Sequence, residues 1–229
     1  MKNTAVHTTQ SLLFVLTLLL AGCASQRPAE THKVYDFGPT QLQVPAAASP
    51  ARMAPLVLFD AQASSSLAGN AVLYRLAYAD AQQLMPYALA RWSMPPAQLI
   101  SQRLRQHLGL QRAVVAPGEL LPASAPRFAS SAAVPVSAPS PSLAAPLLNL
   151  RLVLEEFSQV FDSPADSRGL LRVRATLTQR ASGSEILLAQ RSFVLQQPAP
   201  SPDAVGAVRA LTAASDQLAV QMTAWLASL

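Results

Sequence analysis

Alternating apolar and polar residues in the second half of the chain constrain its fold most strongly. Leucine occupies every even position of residues 148–154, and residues 171–177 alternate apolar side chains with arginine and threonine. Because successive side chains of a strand point to opposite faces of a sheet, each segment predicts a strand with one buried face. Ser182 and Gly183 then predict a turn, after which residues 186–195 return as a third strand.

The alternation of the first strand slips beyond its leucines. Phe157 and Phe161 fall on odd positions, whereas the leucines before them fall on even ones. One extra residue near Glu155 and Glu156 would return both aromatic side chains to the buried face. We therefore predict a β-bulge there.

A first helix is predicted before this block. Pro95 and Pro96 suit a helix start, where a missing N–H costs little, and Gly109 suits its end. The residues between them place an apolar set on one helical face: Ala97, Ile100, Leu104 and Leu108.

The chain closes on a longer predicted helix. Ser201 offers a capping hydroxyl, Pro202 suits the first turn, and Asp203 interacts favourably with the helix dipole. An apolar stripe follows at alternating steps of four and three residues, which is typical of a helix packed on a sheet. Its members are Ala204, Val208, Leu211, Ser215, Leu218, Met222, Trp225 and Leu229.

These elements predict an α+β fold, with a single mostly antiparallel sheet and both helices packed on one of its faces. We expect one set of inward-facing side chains, contributed by the sheet and by both helices, to form the core. That set includes Ile100, Leu104, Leu150, Leu152, Val173, Leu218, Met222 and Trp225.

The first residues have the pattern of a secretory signal. Lys2 precedes an apolar run at residues 11–20, and the run ends in Leu-Ala-Gly-Cys with Cys23 last. The run is half the roughly 20 residues that a membrane span needs, so it predicts a signal peptide over residues 1–22. The last four residues resemble the bacterial lipobox, which implies acylation of Cys23. Ala24 follows, rather than the aspartate of inner-membrane retention signals, which favours the outer membrane.

Two further segments lack strand or helix periodicity. Residues 23–33 are polar and predict a flexible tether, which leaves residues 34–229 as the folded domain. Proline, alanine and serine dominate residues 117–146, which predicts a long, loosely packed loop within that domain. The net charge of +5 is spread along the chain rather than clustered, so nucleic-acid binding is not expected.

The residues that carry catalytic or metal chemistry are sparse. Cys23 is the single cysteine, and His32 and His107 have no second histidine at metal-ligand spacing. Glu155 and Glu156 are adjacent, but neighbouring strand residues point to opposite faces except at a bulge. We predict no enzyme activity, no catalytic residues, no cofactor and no metal.

Several short motifs resemble one family, the ABC-type transport auxiliary lipoproteins. The opening Tyr-Asp-Phe-Gly-Pro at residues 35–39 is similar to the family's Tyr-x-Leu-x-Pro, with Phe37 in place of leucine. Tyr78, the pair Arg91-Trp92 and the two prolines before the first helix also match. The strand block and the C-terminal helix follow in the family's order, although the 117–146 stretch is longer than expected.

The resemblance implies a non-catalytic, outer-membrane-anchored periplasmic lipoprotein that assists an MCE-type ABC lipid transporter. Its partners would be the membrane, through the lipid anchor, and the periplasmic MCE-type protein. A ring-shaped partner would suit a matching homo-oligomeric ring. Arg91 and Trp92 are the candidate contact residues, although the position of Trp92 just before a helix favours a core role for it, with Arg91 in solvent. Two alternatives stay open: a periplasmic lipid carrier, and an assembly or structural lipoprotein of another envelope apparatus.

Overall fold

The computed structural model describes residues 31–39, 54–119, 147–181 and 184–229. Residues 34–229 form one compact unit, and residues 1–33 form another, of which only 31–33 are described. The described elements are β1 (Lys33–Tyr35), β2 (Leu56–Leu58), β3 (Gln62–Ala63), a 3₁₀ turn (Ser65–Leu67), β4 (Ala71–Leu76), β5 (Asp80–Trp92), α1 (Pro96–Leu108), β6 (Val114–Val115), β7 (Leu148–Phe161), β8 (Ser167–Ala181), β9 (Ser184–Pro198) and α2 (Ala204–Ala227).

Strands β7, β8 and β9 form an antiparallel block. β8 pairs with β7 on one side and with β9 on the other, so β9 lies at the edge of the described sheet. The register of β7 against β8 shifts between Leu154 and Glu156. The predicted β-bulge is therefore confirmed, and it keeps Phe157 buried on the same face as the leucines. The predicted turn at Ser182 and Gly183 lies outside the described residues.

The strands that pair with the other edge of β7 run parallel to it, which differs from the predicted sheet. β2, β3 and β4 pair with β7 at successive levels, opposite residues 148–150, 153–154 and 159–161 respectively. β6 also pairs in parallel with β2. Four of the seven pairs with a described register are thus parallel, so "mostly antiparallel" was wrong. The reason is connectivity: about 70 residues, α1 among them, separate β4 from β7, which leaves room for the long crossover that parallel pairing requires.

Both helices begin near the predicted positions. α1 starts at Pro96, and Gly109 follows its last residue. At α2 the cap differs from the prediction: Asp203 Oδ1, not the Ser201 hydroxyl, accepts the bond from the Gly206 N–H, at 2.7 Å. Ser201 instead donates its hydroxyl hydrogen to Asp203. The Asp203 carboxylate accepts from both the Gly206 N–H and the Ser201 hydroxyl, and its negative charge also interacts favourably with the helix dipole. It is therefore a stronger cap than the Ser201 hydroxyl would be.

The core fills the space between the helices and one face of the sheet. Every member of the predicted inward-facing set is buried, whereas Leu229 lies beyond the helix end and is exposed. Arg172 and Arg174 project from β8 on the opposite face and are exposed. At Gly169 the backbone of α2 comes so near β8 that an added Cβ would lie 2.9 Å from Ala210. Among the described helices, none has the length and apolar character needed to cross a membrane.

Candidate functional site

A short segment at the start of the domain lies across the helical face. We call residues 34–39 the strap; it contains the whole Tyr-Asp-Phe-Gly-Pro motif. Phe37 is buried and meets Trp92 edge-to-face, with ring centroids 5.6 Å apart, and also contacts Phe157. The Gly38 N–H donates to Asp36 Oδ1 at 2.7 Å, and Gly38 has a φ of +65°. The Asp-x-Gly spacing thus forms an Asx turn whose last residue needs the left-handed conformation that glycine adopts freely.

Arg103 on α1 fixes the strap in place. Its guanidinium donates to the carbonyl oxygens of Phe37, at 2.5 Å, and Gly38, at 3.3 Å. A second nitrogen lies 3.2 Å from Asp216 Oδ1 on α2, and the cation stands 5.6 Å from the Phe37 ring. The Arg103 side chain is only 5% exposed. One buried cation therefore joins the strap to both helices, and its planar fork suits several acceptors at once.

The sequence contained a signal for this residue that our prediction missed. Arg103 shares a helical face with Leu99, Ile100 and Leu104, all of which are buried. A charged residue inside an apolar helical face needs a partner, because a buried unpaired charge costs several kcal/mol or more. The pattern predicts a buried ion pair or hydrogen-bonded cation at position 103, although the spacing alone does not identify the strap carbonyls.

Open grooves run along the strap. The larger one, of about 570 Å³, lies between the strap and α2 and mixes apolar with charged side chains. Among its lining residues are Val208, Arg209, Thr212 and Asp216. A second groove, of about 410 Å³, lies between α1 and α2 beyond Pro39 and includes His107. Burial lowers the pKa of His107, and the Arg103 cation lowers it further, whereas Asp216 acts in the opposite direction.

The predicted contact pair is divided between surface and core. Arg91 is exposed, whereas Trp92 has 1% of its surface exposed and packs against Phe37 and Phe157. The two residues are consecutive on β5, so their side chains point to opposite faces. In this conformation only Arg91 can touch a partner directly, and a role for the pair in binding stays a prediction.

Cys23 lies outside the described residues, as do the signal peptide, most of the tether and residues 120–146 of the predicted loop. His107 is on α1 and His32 lies just before β1. Within the described ranges, no group of three or more histidine, cysteine, aspartate or glutamate side chains is placed to hold a metal ion.

The space between the sheet and α2 is filled by side chains. Leu211, Leu218 and Met222 of α2 have no exposed surface, and Trp225 meets Phe193 of β9 edge-to-face at 5.8 Å. At the other end of α2, Gln159 accepts from Tyr87 and donates to Ser167, which joins β5, β7 and β8. The grooves described above therefore lie on the surface rather than between the sheet and this helix.

Residues 127–223 match the model of a known family, the ABC-type transport auxiliary lipoprotein component. The family resemblance is confirmed. The name of this family denotes lipoproteins that are auxiliary components of ABC-type transport.

Two solved structures share the fold. Protein XCC0632 from Xanthomonas campestris, assigned to the DUF330 family, superposes with a TM-score of 0.54 at 12% identity over 87% of both chains. An uncharacterized protein superposes with a TM-score of 0.55 at 15% identity, covering 86% of this chain and 99% of its own. At such identities the similarity establishes the fold alone. No curated protein matches the chain.

Proposed function

We propose that this protein is an outer-membrane lipoprotein, anchored through Cys23, that serves an MCE-type ABC lipid transport system without catalysing a reaction. Its domain would face the periplasm and bind the MCE-type protein there. The family match supports the auxiliary role, and the Leu-Ala-Gly-Cys motif supports the anchor. A ring of copies would match a ring-shaped partner, and native mass measurement of the detergent-purified protein tests that part.

The filled interior is the observation that favours docking over lipid carriage. A carrier needs an apolar cavity of about 300 Å³ or more that encloses the ligand. Here the core side chains of α2 occupy the space against the sheet, and the larger grooves are open and partly charged. Mixed apolar and charged surfaces of this kind suit a protein partner better than an acyl chain.

We place the partner's contact at the groove between the strap and α2. The strap gives this groove a fixed wall, because Arg103 holds its carbonyl groups and Phe37 is buried beneath it. Arg209 is exposed on the opposite wall, where it can meet an acidic partner residue. Rigid walls lower the entropy lost on binding, which favours a specific contact.

Co-purification tests this proposal. The full-length protein carrying Arg209→Glu should recover less of the MCE-type component than wild type, on the order of tenfold less, because charge reversal opposes an acidic contact. Arg172→Glu is the matched control, since Arg172 is an exposed arginine on the opposite face of the sheet. Equal recovery with both variants would exclude the groove. No recovery of the component with wild type, together with stoichiometric bound phospholipid, would favour the carrier instead.

A further inference from the structure

The outer edge of β1 forms part of the groove between the strap and α2. The Tyr35 carbonyl oxygen accepts from the Ser93 N–H at 2.7 Å, so the backbone groups of Tyr35 point toward the end of β5. Backbone groups of consecutive strand residues point to opposite sides. The N–H and C=O of Val34 therefore point away from β5, toward an edge with no described strand beyond it. Val34 is also 65% exposed and lines the groove.

These backbone groups indicate which kind of segment can cover the edge. A partner that fills the groove takes the N–H and C=O of Val34 out of water, and a buried backbone group without a hydrogen bond costs free energy. A helix bonds its own N–H and C=O groups to each other, so its packed face offers none to Val34. An extended segment offers both a donor and an acceptor. The edge of β1 therefore fits a strand better than a helix.

The opposite wall of the groove would contact the side chains of such a strand. Alternate side chains of a strand point to the same face of a sheet. On the helical face they would meet α2, where Val208, Thr212 and Ala213 line the groove with short side chains. Short side chains on this wall leave room for the larger side chains of an added strand.

The charges of the groove favour an acidic segment. Two carboxylates line it, and both have partners within the protein: Asp36 accepts from the Gly38 N–H at 2.7 Å, and Asp216 lies 3.2 Å from the Arg103 guanidinium. Arg209 also lines the groove and is exposed. An acidic side chain of the added strand can pair with this arginine, which gives the two surfaces complementary charge.

We propose that the MCE-type protein adds an extended segment to the outer edge of β1, pairing its backbone with Val34 and an acidic side chain with Arg209. This inference rests on the proposed function and specifies how the partner occupies the groove. The backbone hydrogen bonds would supply affinity, and the side chains toward α2 would determine which segment binds, as in other complexes formed by strand addition.

Hydrogen exchange of single amides tests the pairing in the full-length protein, with and without the MCE-type component. We expect the Val34 amide to exchange rapidly in the free protein and at least tenfold more slowly in the complex. The Tyr35 amide, on the β5 side, is the internal control and should exchange slowly in both states. Slow exchange of Val34 in the free protein would overturn the proposal, because another segment of this chain or a second copy would then occupy the edge.

A proline variant tests whether the backbone hydrogen bond itself matters. Val34→Pro removes the outward N–H, and an edge strand tolerates proline where the missing N–H faces outward. Its recovery of the component should be on the order of tenfold below that of Val34→Ala, because a buried carbonyl of the added strand would lose its donor. Val34→Ala also removes the valine side chain but retains the N–H. The thermal unfolding of the two variants should match.

The outcomes separate the binding mode from the binding itself. Equal recovery with Val34→Pro and Val34→Ala would overturn strand addition, as would a Val34 amide that exchanges equally fast in the free protein and the complex. If Arg209→Glu still lowers recovery in that case, the groove remains the contact and only the mode of binding is wrong. A wild-type protein that recovers no MCE-type component would refute the proposed function, and strand addition with it.

Discussion

Removing the charge of Arg103 should release the strap. In Arg103→Met the apolar stem of the side chain is retained, but the carbonyl groups of Phe37 and Gly38 lose their donor and Asp216 loses its cation. We expect the free energy of unfolding to fall by about 1.5–3 kcal/mol, the range for hydrogen bonds to charged groups. Denaturant titration measures this loss.

Arg172→Met is the control for that experiment. Arg172 is exposed on the sheet face that carries no helix, so its replacement should change the unfolding free energy by less than about 0.5 kcal/mol. Equal losses in the two variants would mean that the buried cation contributes nothing specific. The strap would then be held by the burial of Phe37 alone.

His107 should make stability depend on pH. Burial lowers the pKa of His107 below its ordinary value of 6.5, so the unfolded chain binds this proton more readily than the folded one. The folded protein therefore favours neutral His107, and this preference contributes fully to the free energy of unfolding above pH 6.5. The contribution is lost as the pH falls from 6.5 toward the pKa that His107 has in the folded state. Unfolding free energies at pH 7.5 and 5.5 should differ less in His107→Gln than in wild type. An unchanged difference would contradict the assignment.

Single residues show where sequence patterns stop being informative. The stripe positions of α2 could be predicted, because helical period and burial follow from local spacing alone. The sequence predicted Ser201 as the cap of α2, whereas the cap is Asp203. Both residues are good caps, they lie two positions apart, and only the backbone geometry distinguishes them. The acceptors of Arg103 are carbonyl groups more than sixty residues away, which no side-chain pattern encodes.

At the scale of the strand, Leu152 tests the register of β7. Its side chain is 1% exposed on the helical face, so Leu152→Ala should lower the unfolding free energy by about 2–5 kcal/mol through lost burial and the cavity left behind. Val153 is the next residue and points to the opposite, partly exposed face. Val153→Ala should cost about 1 kcal/mol or less. A reversed order of the two costs would mean that the strand is shifted by one residue.

The bulge in β7 was predictable, whereas β5 was not. A bulge can be recognised in the sequence, because the buried residues change from even to odd positions around Glu155. β5 has no regular alternation and contains Pro86, which usually argues against a strand. Its position explains the proline: apart from its pairing with β1, the outer side of β5 has no described partner, so the missing N–H costs little there.

The arrangement of the whole sheet depends on contacts between distant parts of the chain. The leucine pattern shows that β7 is buried on one face, but it does not indicate which strands pair with the edge of β7 opposite β8. β2, β3 and β4 pair with residues of β7 that follow them by 85–92 positions, and their parallel order depends on the long crossover between them. Local patterns therefore predicted the fold class, the helices and the inward-facing set, and failed on the orientation of the short strands.

The proposed position of the molecule in the cell envelope depends on Cys23. Replacing it in Cys23→Ala removes the thiol that would carry the diacylglycerol, so we expect an unprocessed or soluble periplasmic form with an altered mass. Residues 34–229 form their own compact unit, so the thermal unfolding of this form should match that of wild type. Ser25→Ala, two residues away, leaves the thiol in place and should behave as wild type. Membrane fractionation with intact-mass measurement checks both variants, and a Cys23→Ala protein that stays in the outer membrane at the wild-type mass would refute the lipid anchor.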